Sequence, residues 1–169
     1  MQFEVLYREL AYSTEMIRAL LNGVSQEDAR IKPNEGSWSI LEVTCHLHDE
    51  EREDFREHLD FILYRQKEDW HRIDTQGWVI ERRYNEQNLD EMKDKFFAER
   101  TKSMEWLKTL ATTDWNTTYT TEYRSLSAGD MFSSWVAHDN LHIRQYVELR
   151  RLLIVRIAHP YTIDYAGEW

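Results

Sequence analysis

Apolar residues recur at alternating intervals of three and four along four separate stretches of the chain, and this periodicity constrains the fold most strongly. Such spacing places side chains on one face of an α-helix. The four stretches run from about Phe3 to Asn22, Ile40 to Tyr64, Leu89 to Leu110 and Ala128 to Ile154. Each helix has one apolar face that must be covered. The pattern therefore predicts an all-α fold, a four-helix bundle.

The segments between these helices support that prediction. Five glycines and two prolines in 169 residues are too few for a turn-rich β-sandwich or barrel. Asn22-Gly23 ends the first helix, and Ser39 with Glu42 three residues later forms a capping-box pattern before the second. We expect residues 23–38 to form a loop.

The connection between the second and third predicted helices is unusually long. Residues 66–87 are polar, and a connection of this length is often functional in a compact domain. It is long enough to cross the end of a bundle, so strict up-down-up-down connectivity does not follow from the sequence. The Thr-rich residues 111–127, with Tyr119 and Tyr123, fit either a loop or a short extended segment.

Length, charge and cysteine content exclude several classes of protein. We expect one domain over residues 1–169, given the usual domain size of ~100–200 residues. The net charge of −10 disfavours nucleic acid and anionic membranes as partners. Cys45 is the only cysteine, and the N-terminus lacks the pattern of a signal peptide. No apolar run reaches the ~18 residues of a membrane span, so we expect a cytoplasmic protein.

The fourth predicted helix carries polar residues where a bundle core normally has Leu or Ile. Its inward-facing positions, at spacings of three and four, are Trp135, His138, His142, Gln145, Leu149 and Leu152. Burying a polar group without a partner costs ~1–3 kcal/mol, and a bound cation would offset that cost. Two histidines one turn apart can bind one ion, but an HxxxH spacing by itself is equally compatible with ordinary buried histidines.

The second predicted helix offers a third imidazole, together with a carboxylate one turn further along. His46 and Glu50 are four residues apart, and His46 could lie at the height of His138 in the bundle. Three imidazoles with positions open to water are typical of a catalytic divalent-metal site, and they suit Zn, Ni, Cu or Fe. At ~100° per residue, however, His48 lies slightly nearer the apolar direction than His46. The periodicity leaves both residues as candidates.

The remaining reactive side chains are weaker candidates. We expect His58, which lies in a charged stretch, to be solvated or at the edge of the helix, and His71 and His159 to be on the surface. Cys45 is expected to be a buried, inert thiol. The sequence contains no Ser-His-Asp arrangement, Gly-rich phosphate loop or CxxC pair.

Four sequence segments resemble the DinB/YfiT-like family of metal-dependent enzymes. They are GSWSILEVTCHLHDEE, RRYNEQNLDEM, FFAERTKSMEWLKTL and WVAHDNLHIRQ, and the resemblance extends over nearly the whole chain. It implies a four-helix bundle with one divalent metal, zinc or nickel, held by His46, His138 and His142. It thus favours His46 over His48. Members with known chemistry include S-transferases that use a low-molecular-weight thiol and a thiol-dependent maleylpyruvate isomerase, and dimers are common, so we expect a homodimer.

Two functions are compatible with these features. The first is a metal-dependent enzyme, a hydrolase or a thiol-dependent S-transferase, acting on a small molecule. Glu50 would then accept a proton or orient a ligand, and Gln145 would hydrogen-bond a ligand imidazole or a bound water. The second is a non-catalytic metal- or ligand-binding bundle, linked to stress, with Glu50 closing the metal site. Aromatic residues expected to line the pocket are Trp38, Trp135, Tyr165 and Trp169.

Overall fold

The computed structural model describes residues 2–70, 72–120 and 125–167, and it confirms the all-α prediction. The helices are α1 (Phe3–Leu21), α2 (Gln26–Ala29), α3 (Ile40–Glu50), a π-helical turn (Glu51–Phe55), α4 (Arg56–Tyr64), α5 (Thr75–Glu81), α6 (Leu89–Thr109) and α7 (Ala128–Ala158). Short 3-10 turns cover Tyr84–Glu86 and Asp164–Ala166. None of the helices in the described ranges is both long and apolar enough to cross a membrane.

Four long helices form the bundle, because α3, the π turn and α4 continue one another without a break. The predicted second helix, Ile40 to Tyr64, is therefore confirmed, but its periodicity did not reveal the π turn. The predicted capping box is also present: Ser39 Oγ accepts from the Glu42 amide at 3.1 Å, and the Ser39 amide donates to Glu42 Oε2 at 2.9 Å. A π turn inside an α-helix is frequently found at a functional site.

The helices do not alternate in direction along the chain. The α1 and α7 helices are parallel, since the ring centroids of Phe3 and Phe132 are 5.7 Å apart while Arg150 Nη1 donates to the Leu20 carbonyl at 2.8 Å. The long helix α3–α4 is antiparallel to α7 and parallel to α6. The order of directions is therefore up, down, down, up.

This topology explains the long connection between α4 and α6, which must return along the bundle to start α6 beside the start of α3. On its way the connection forms α5 and covers the outer side of α3. The Tyr84 hydroxyl donates to Asp49 Oδ2 at 2.6 Å, and Arg82 Nη1 donates to the same oxygen at 2.6 Å. As a result, every residue of α3 is buried.

The segment before α7 contains a small hairpin, which settles the choice left open for residues 111–127. Strand β1 (Thr118–Thr120) pairs antiparallel with β2 (Ser125–Ser127). Tyr119 lies in β1, whereas Tyr123 lies outside the described residues.

Two apolar clusters fill the bundle, one toward each end. The first includes Ile17, Leu47, Phe96 and Tyr146, and the second includes Leu10, Phe55, Leu107 and Trp135. Buried polar residues also occur on each long helix, in the region where the two apolar clusters meet. We call the set on α3, the π turn, α6 and α7 the polar layer: His46, Glu50, Glu51, Arg100, Asp139 and His142.

Candidate metal centre

Three histidines from two helices converge at the polar layer. One ring nitrogen each of His46 on α3 and of His138 and His142 on α7 lie within 4.8 Å of one another. His138 Nε2 and His142 Nε2 are 3.0 Å apart, as expected for side chains one helical turn apart. The cluster joins the two histidines predicted on α7 with one from the second helix.

The structure brings His46, and not His48, to this cluster. The His48 ring instead lies beside the carboxylate of its neighbour, with Nδ1 2.8 Å from Asp49 Oδ1. The slight preference of the periodicity for His48 failed because α3 is covered on all sides, so its apolar residues do not mark a single inward face.

Glu50 lies against the cluster from the turn below His46. Its two carboxylate oxygens are 3.3 Å from His46 Nε2 and 2.9 Å from His138 Nε2. Burial raises the pKa of Glu50, although the hydrogen bond to His138 opposes that shift. Glu50 is thus a buried carboxyl group beside two imidazoles, not the exposed charge that its acidic neighbours Asp49 and Glu51 would suggest.

Gln145 sets the tautomer of His142. Its carbonyl oxygen Oε1 lies 2.8 Å from His142 Nδ1, so this ring nitrogen is the donor in the bond. The neutral ring then presents the lone pair of Nε2 to the cluster. An acceptor that fixes the tautomer in this way is a common partner of a metal-ligating histidine.

The electrostatics keep the imidazoles of His46 and His142 neutral. Burial, and next the neighbouring His142 and His138, lower the pKa of His46 to about 2, and burial together with His138 lowers that of His142 to about 4. His46 Nδ1 is buried and has no hydrogen-bond partner. Neutral ring nitrogens beside a carboxylate are the donors that a divalent transition metal takes, so these residues fit such an ion.

Aromatic rings border the cluster on two sides. The Trp38 ring lies 4.6 Å from the His46 ring and parallel to that of His142 at 6.5 Å, and Phe55 lies 5.0 Å from His138. Of the other expected wall residues, Trp135 stacks on Phe55 from behind and Tyr165 is fully exposed. Trp169 lies outside the described residues.

The other reactive side chains lie away from the cluster, with one surprise. The expectation that His58 is solvated is wrong: it is buried, its ring stacks on Trp70 at 3.9 Å, and Nδ1 lies 2.6 Å from Asp54 Oδ1. Cys45 is buried as expected, and burial raises the pKa of its thiol to about 12. His159 is exposed, and His71 lies outside the described residues.

The sequence interpretation missed a buried ion cluster next to the histidines. Arg100 donates to Glu51 from α6, and it also binds Asp139 through both terminal nitrogens. The buried face of α7 is accordingly Trp135, Asp139, His142, Tyr146 and Leu149. His138 and Gln145 flank this face and do not lie in its centre. The sequence did contain a signal for the burial of Arg100, because this residue lies four positions after Phe96 and three before Ser103 in the spacing of the buried face.

The fold and this cluster together define a class of protein: a four-helix bundle with unusual helix directions and a three-histidine centre at mid-height. A family model described as the DinB superfamily matches residues 9–146, and the chain belongs to that superfamily. No curated protein matches the chain at a significant level.

Among solved structures, the chain is similar to YfiT from Bacillus subtilis, described as a probable metal-dependent hydrolase with an unusual four-helix bundle topology. The TM-score is 0.78 at 14% sequence identity, and the match covers 90% of this chain and 87% of YfiT. At this level of identity the match supports the fold, including its departure from alternating helix directions.

Proposed function

We propose that this protein is a divalent-metal-dependent hydrolase of a small molecule, with His46, His138 and His142 as the metal ligands. The observation that carries the proposal is the convergence of three ring nitrogens within 4.8 Å, in an environment that keeps His46 and His142 neutral. Membership of the DinB superfamily and the description of YfiT as a probable metal-dependent hydrolase support it. Three imidazoles suit Zn, Ni, Cu or Fe, and we propose zinc or nickel from the family resemblance.

The surrounding residues have distinct tasks in this proposal. A divalent ion, when bound, would supply Lewis-acid polarisation of a carbonyl or similar group. Gln145 holds His142 in the tautomer whose Nε2 lone pair faces the cluster. Glu50 can accept a proton at either carboxylate oxygen, and its raised pKa brings it closer to that of a useful general base. Trp38 covers His46 and His142 and excludes water from that side.

Access for a substrate is best from the side of His138. Its side chain is 20% exposed, whereas those of His46 and Glu50 are 4% and 7% exposed. The Phe55 ring lies against His138, with the ring centroids 5.0 Å apart.

A second candidate is a non-catalytic metal-binding protein, and the position of Glu50 specifically favours it. Its oxygens lie 3.3 Å and 2.9 Å from two of the three histidines, so it could act as a fourth ligand. A site closed by four side chains is typical of a structural metal. X-ray absorption at the metal edge distinguishes the two, since an open site retains oxygen ligands from water that exchange with added azide or a thiol.

The ligand assignment is tested by metal titration of two matched variants. His46→Ala and His48→Ala each remove a buried imidazole from α3, but only His46 lies in the cluster. Removing a residue that only hydrogen-bonds a metal ligand typically lowers metal affinity by about 10–100-fold. His46→Ala removes a ligand itself, so we expect its metal affinity to fall by at least about 100-fold. His48→Ala should bind zinc like the wild type. Equal losses in both variants, or no metal uptake by the wild type, would contradict the assignment.

The reaction is tested on the metal-loaded protein with two substrate panels. The first contains activated esters and amides without a thiol, and the second contains electrophiles with a low-molecular-weight thiol. Turnover in the first panel that His138→Ala abolishes supports a hydrolase. Turnover only with the thiol indicates an S-transferase, the other enzyme activity expected from the resemblance. Metal binding without turnover in either panel favours the non-catalytic candidate.

We further propose a homodimer without affinity for nucleic acid, on the basis of the family resemblance and the net charge of −10. Sedimentation equilibrium over a range of protein concentrations tests the dimer. A monomer at high micromolar concentration would contradict it.

A further inference from the structure

A buried charged side chain, Arg100, lies next to the candidate metal centre. The Arg100 side chain is 2% exposed, and it donates to three side chains. Its Nε bonds Glu51 Oε1 at 2.8 Å, its two terminal nitrogens bond the Asp139 carboxylate at 2.6 and 2.9 Å, and Nη1 also reaches Thr14 Oγ1 at 3.1 Å. Arg100 therefore connects α6 to α1, α7 and the π turn at one level of the bundle.

The two carboxylates that Arg100 holds are sequence neighbours of two residues of the centre. Glu51 follows Glu50, and Asp139 follows His138. Consecutive residues of a helix point about 100° apart, so one of each pair faces Arg100 while the other faces the cluster. Glu50 Oε2 and His138 Nε2 lie 2.9 Å apart, and this contact joins the long helix α3–α4 to α7. Arg100 joins the same two helices.

The geometry of the ion cluster is rigid. A guanidinium that binds a carboxylate through two parallel hydrogen bonds fixes its orientation as well as its distance. The second oxygen of Glu51 is also held, because Trp135 Nε1 donates to Oε2 at 3.1 Å. Buried ion pairs often add little net stability over apolar residues of similar size, so stability alone does not account for such a cluster in a bundle core.

We propose that Arg100 is a positioning residue of the candidate metal centre. By holding Glu51 and Asp139 it sets the register between the π turn and α7, and with it the placement of Glu50 and His138. The proposal rests on the proposed function, because it concerns the same metal site. It predicts that metal binding depends on the shape of the Arg100 side chain and not only on its charge.

The test is the charge-conserving variant Arg100→Lys, with Arg56→Lys as the matched control. Lysine keeps the charge but cannot bind two carboxylates through a planar fork. Arg56 also forms a bridge from the long helix to α6, through Glu99 at 2.6 Å and Ser103 at 3.1 Å, but it touches no residue of the polar layer in the bonds described. Both variants are titrated with Co²⁺, whose visible absorption reports ligand geometry, and with Zn²⁺ against a chelator.

We expect Arg100→Lys to weaken Zn²⁺ binding about tenfold or more and to alter the Co²⁺ spectrum, while Arg56→Lys stays within about twofold of the wild type. Affinity and spectrum equal to the wild type in a folded Arg100→Lys protein would overturn the proposal.

Glu51→Asp, which also keeps the charge but shortens the side chain, is the second variant and should show the same direction of change. If neither variant folds, Arg100 serves the fold alone and the proposal is abandoned. Failure of the wild type to bind metal would instead refute the proposed function.

Discussion

At the scale of single residues, the hydrogen bond from His142 to Gln145 fixes the tautomer of a candidate metal ligand. A substitution at Gln145 tests how much this bond contributes to metal affinity. Gln145→Leu removes the acceptor 2.8 Å from His142 Nδ1 while keeping similar volume. Metal-site partners of this kind contribute about 10–100-fold in affinity, so we expect a loss of about tenfold for Zn²⁺ with little change in melting temperature. Isothermal titration calorimetry measures it. Gln145→Glu keeps an acceptor oxygen and should retain the affinity, and equal losses in both variants would argue against this role.

Asp49 gives a residue-scale prediction about acid stability. Burial alone raises its pKa, but hydrogen bonds from His48, Tyr84 and Arg82 outweigh that effect and lower the pKa from 3.8 to about 2. A carboxyl whose pKa is depressed in the folded state stabilises the protein above its unfolded pKa, and this contribution is lost as the pH falls through the folded value.

The variant Asp49→Asn isolates this contribution. Its pH-dependent part is about 2 kcal/mol, from a shift of nearly two units at 1.36 kcal/mol each. We expect the difference in unfolding free energy between wild type and variant to be largest from pH 5 to 7 and to shrink by about that amount between pH 4 and pH 2. Urea unfolding followed by circular dichroism measures it. A difference that stays constant down to pH 2 would contradict the assigned shift.

At the scale of elements, the two capping boxes offer a comparison between a buried and an exposed helix start. Ser39 caps α3 and also donates to Asn85 Oδ1 at 2.7 Å, whereas Ser127 caps α7 at the surface. Losing a cap costs about 1 kcal/mol, and losing a further side-chain hydrogen bond costs about another 1 kcal/mol. We therefore expect Ser39→Ala to cost about 2 kcal/mol and Ser127→Ala about 1 kcal/mol in urea unfolding. Equal costs would show that the bond to Asn85 adds nothing.

At the scale of the whole molecule, the two apolar clusters at opposite ends of the bundle should hold the fold together without metal. They contain buried residues from all four long helices. We expect protein treated with a chelator to keep its helical circular dichroism. Zinc at about 100 times its dissociation constant should add about 2.7 kcal/mol, which corresponds to a rise of about 5–10 °C in melting temperature. Complete unfolding on chelation would mark the metal as structural.

The sequence by itself determined the helices, the capping box at Ser39 and the placement of His138 and His142 one turn apart on one helix, because these depend on spacings within one turn of a helix. Its resemblance to a known family also indicated the bundle and the choice of His46. These features are local, or they are carried by motifs that can be recognised in the chain.

Only the tertiary structure decided which side of α3 faces the other helices, and the physical reason is its complete burial. The returning connection covers the outer side of α3, so polar and apolar residues no longer separate into two faces. The helical periodicity therefore slightly favoured His48, although His46 is the residue that lies in the cluster. The same holds for Arg100 and Asp139. Each is a charged residue whose burial depends on a partner 39 positions away. Local periodicity places Arg100 among apolar positions, but it does not identify the partner across the bundle.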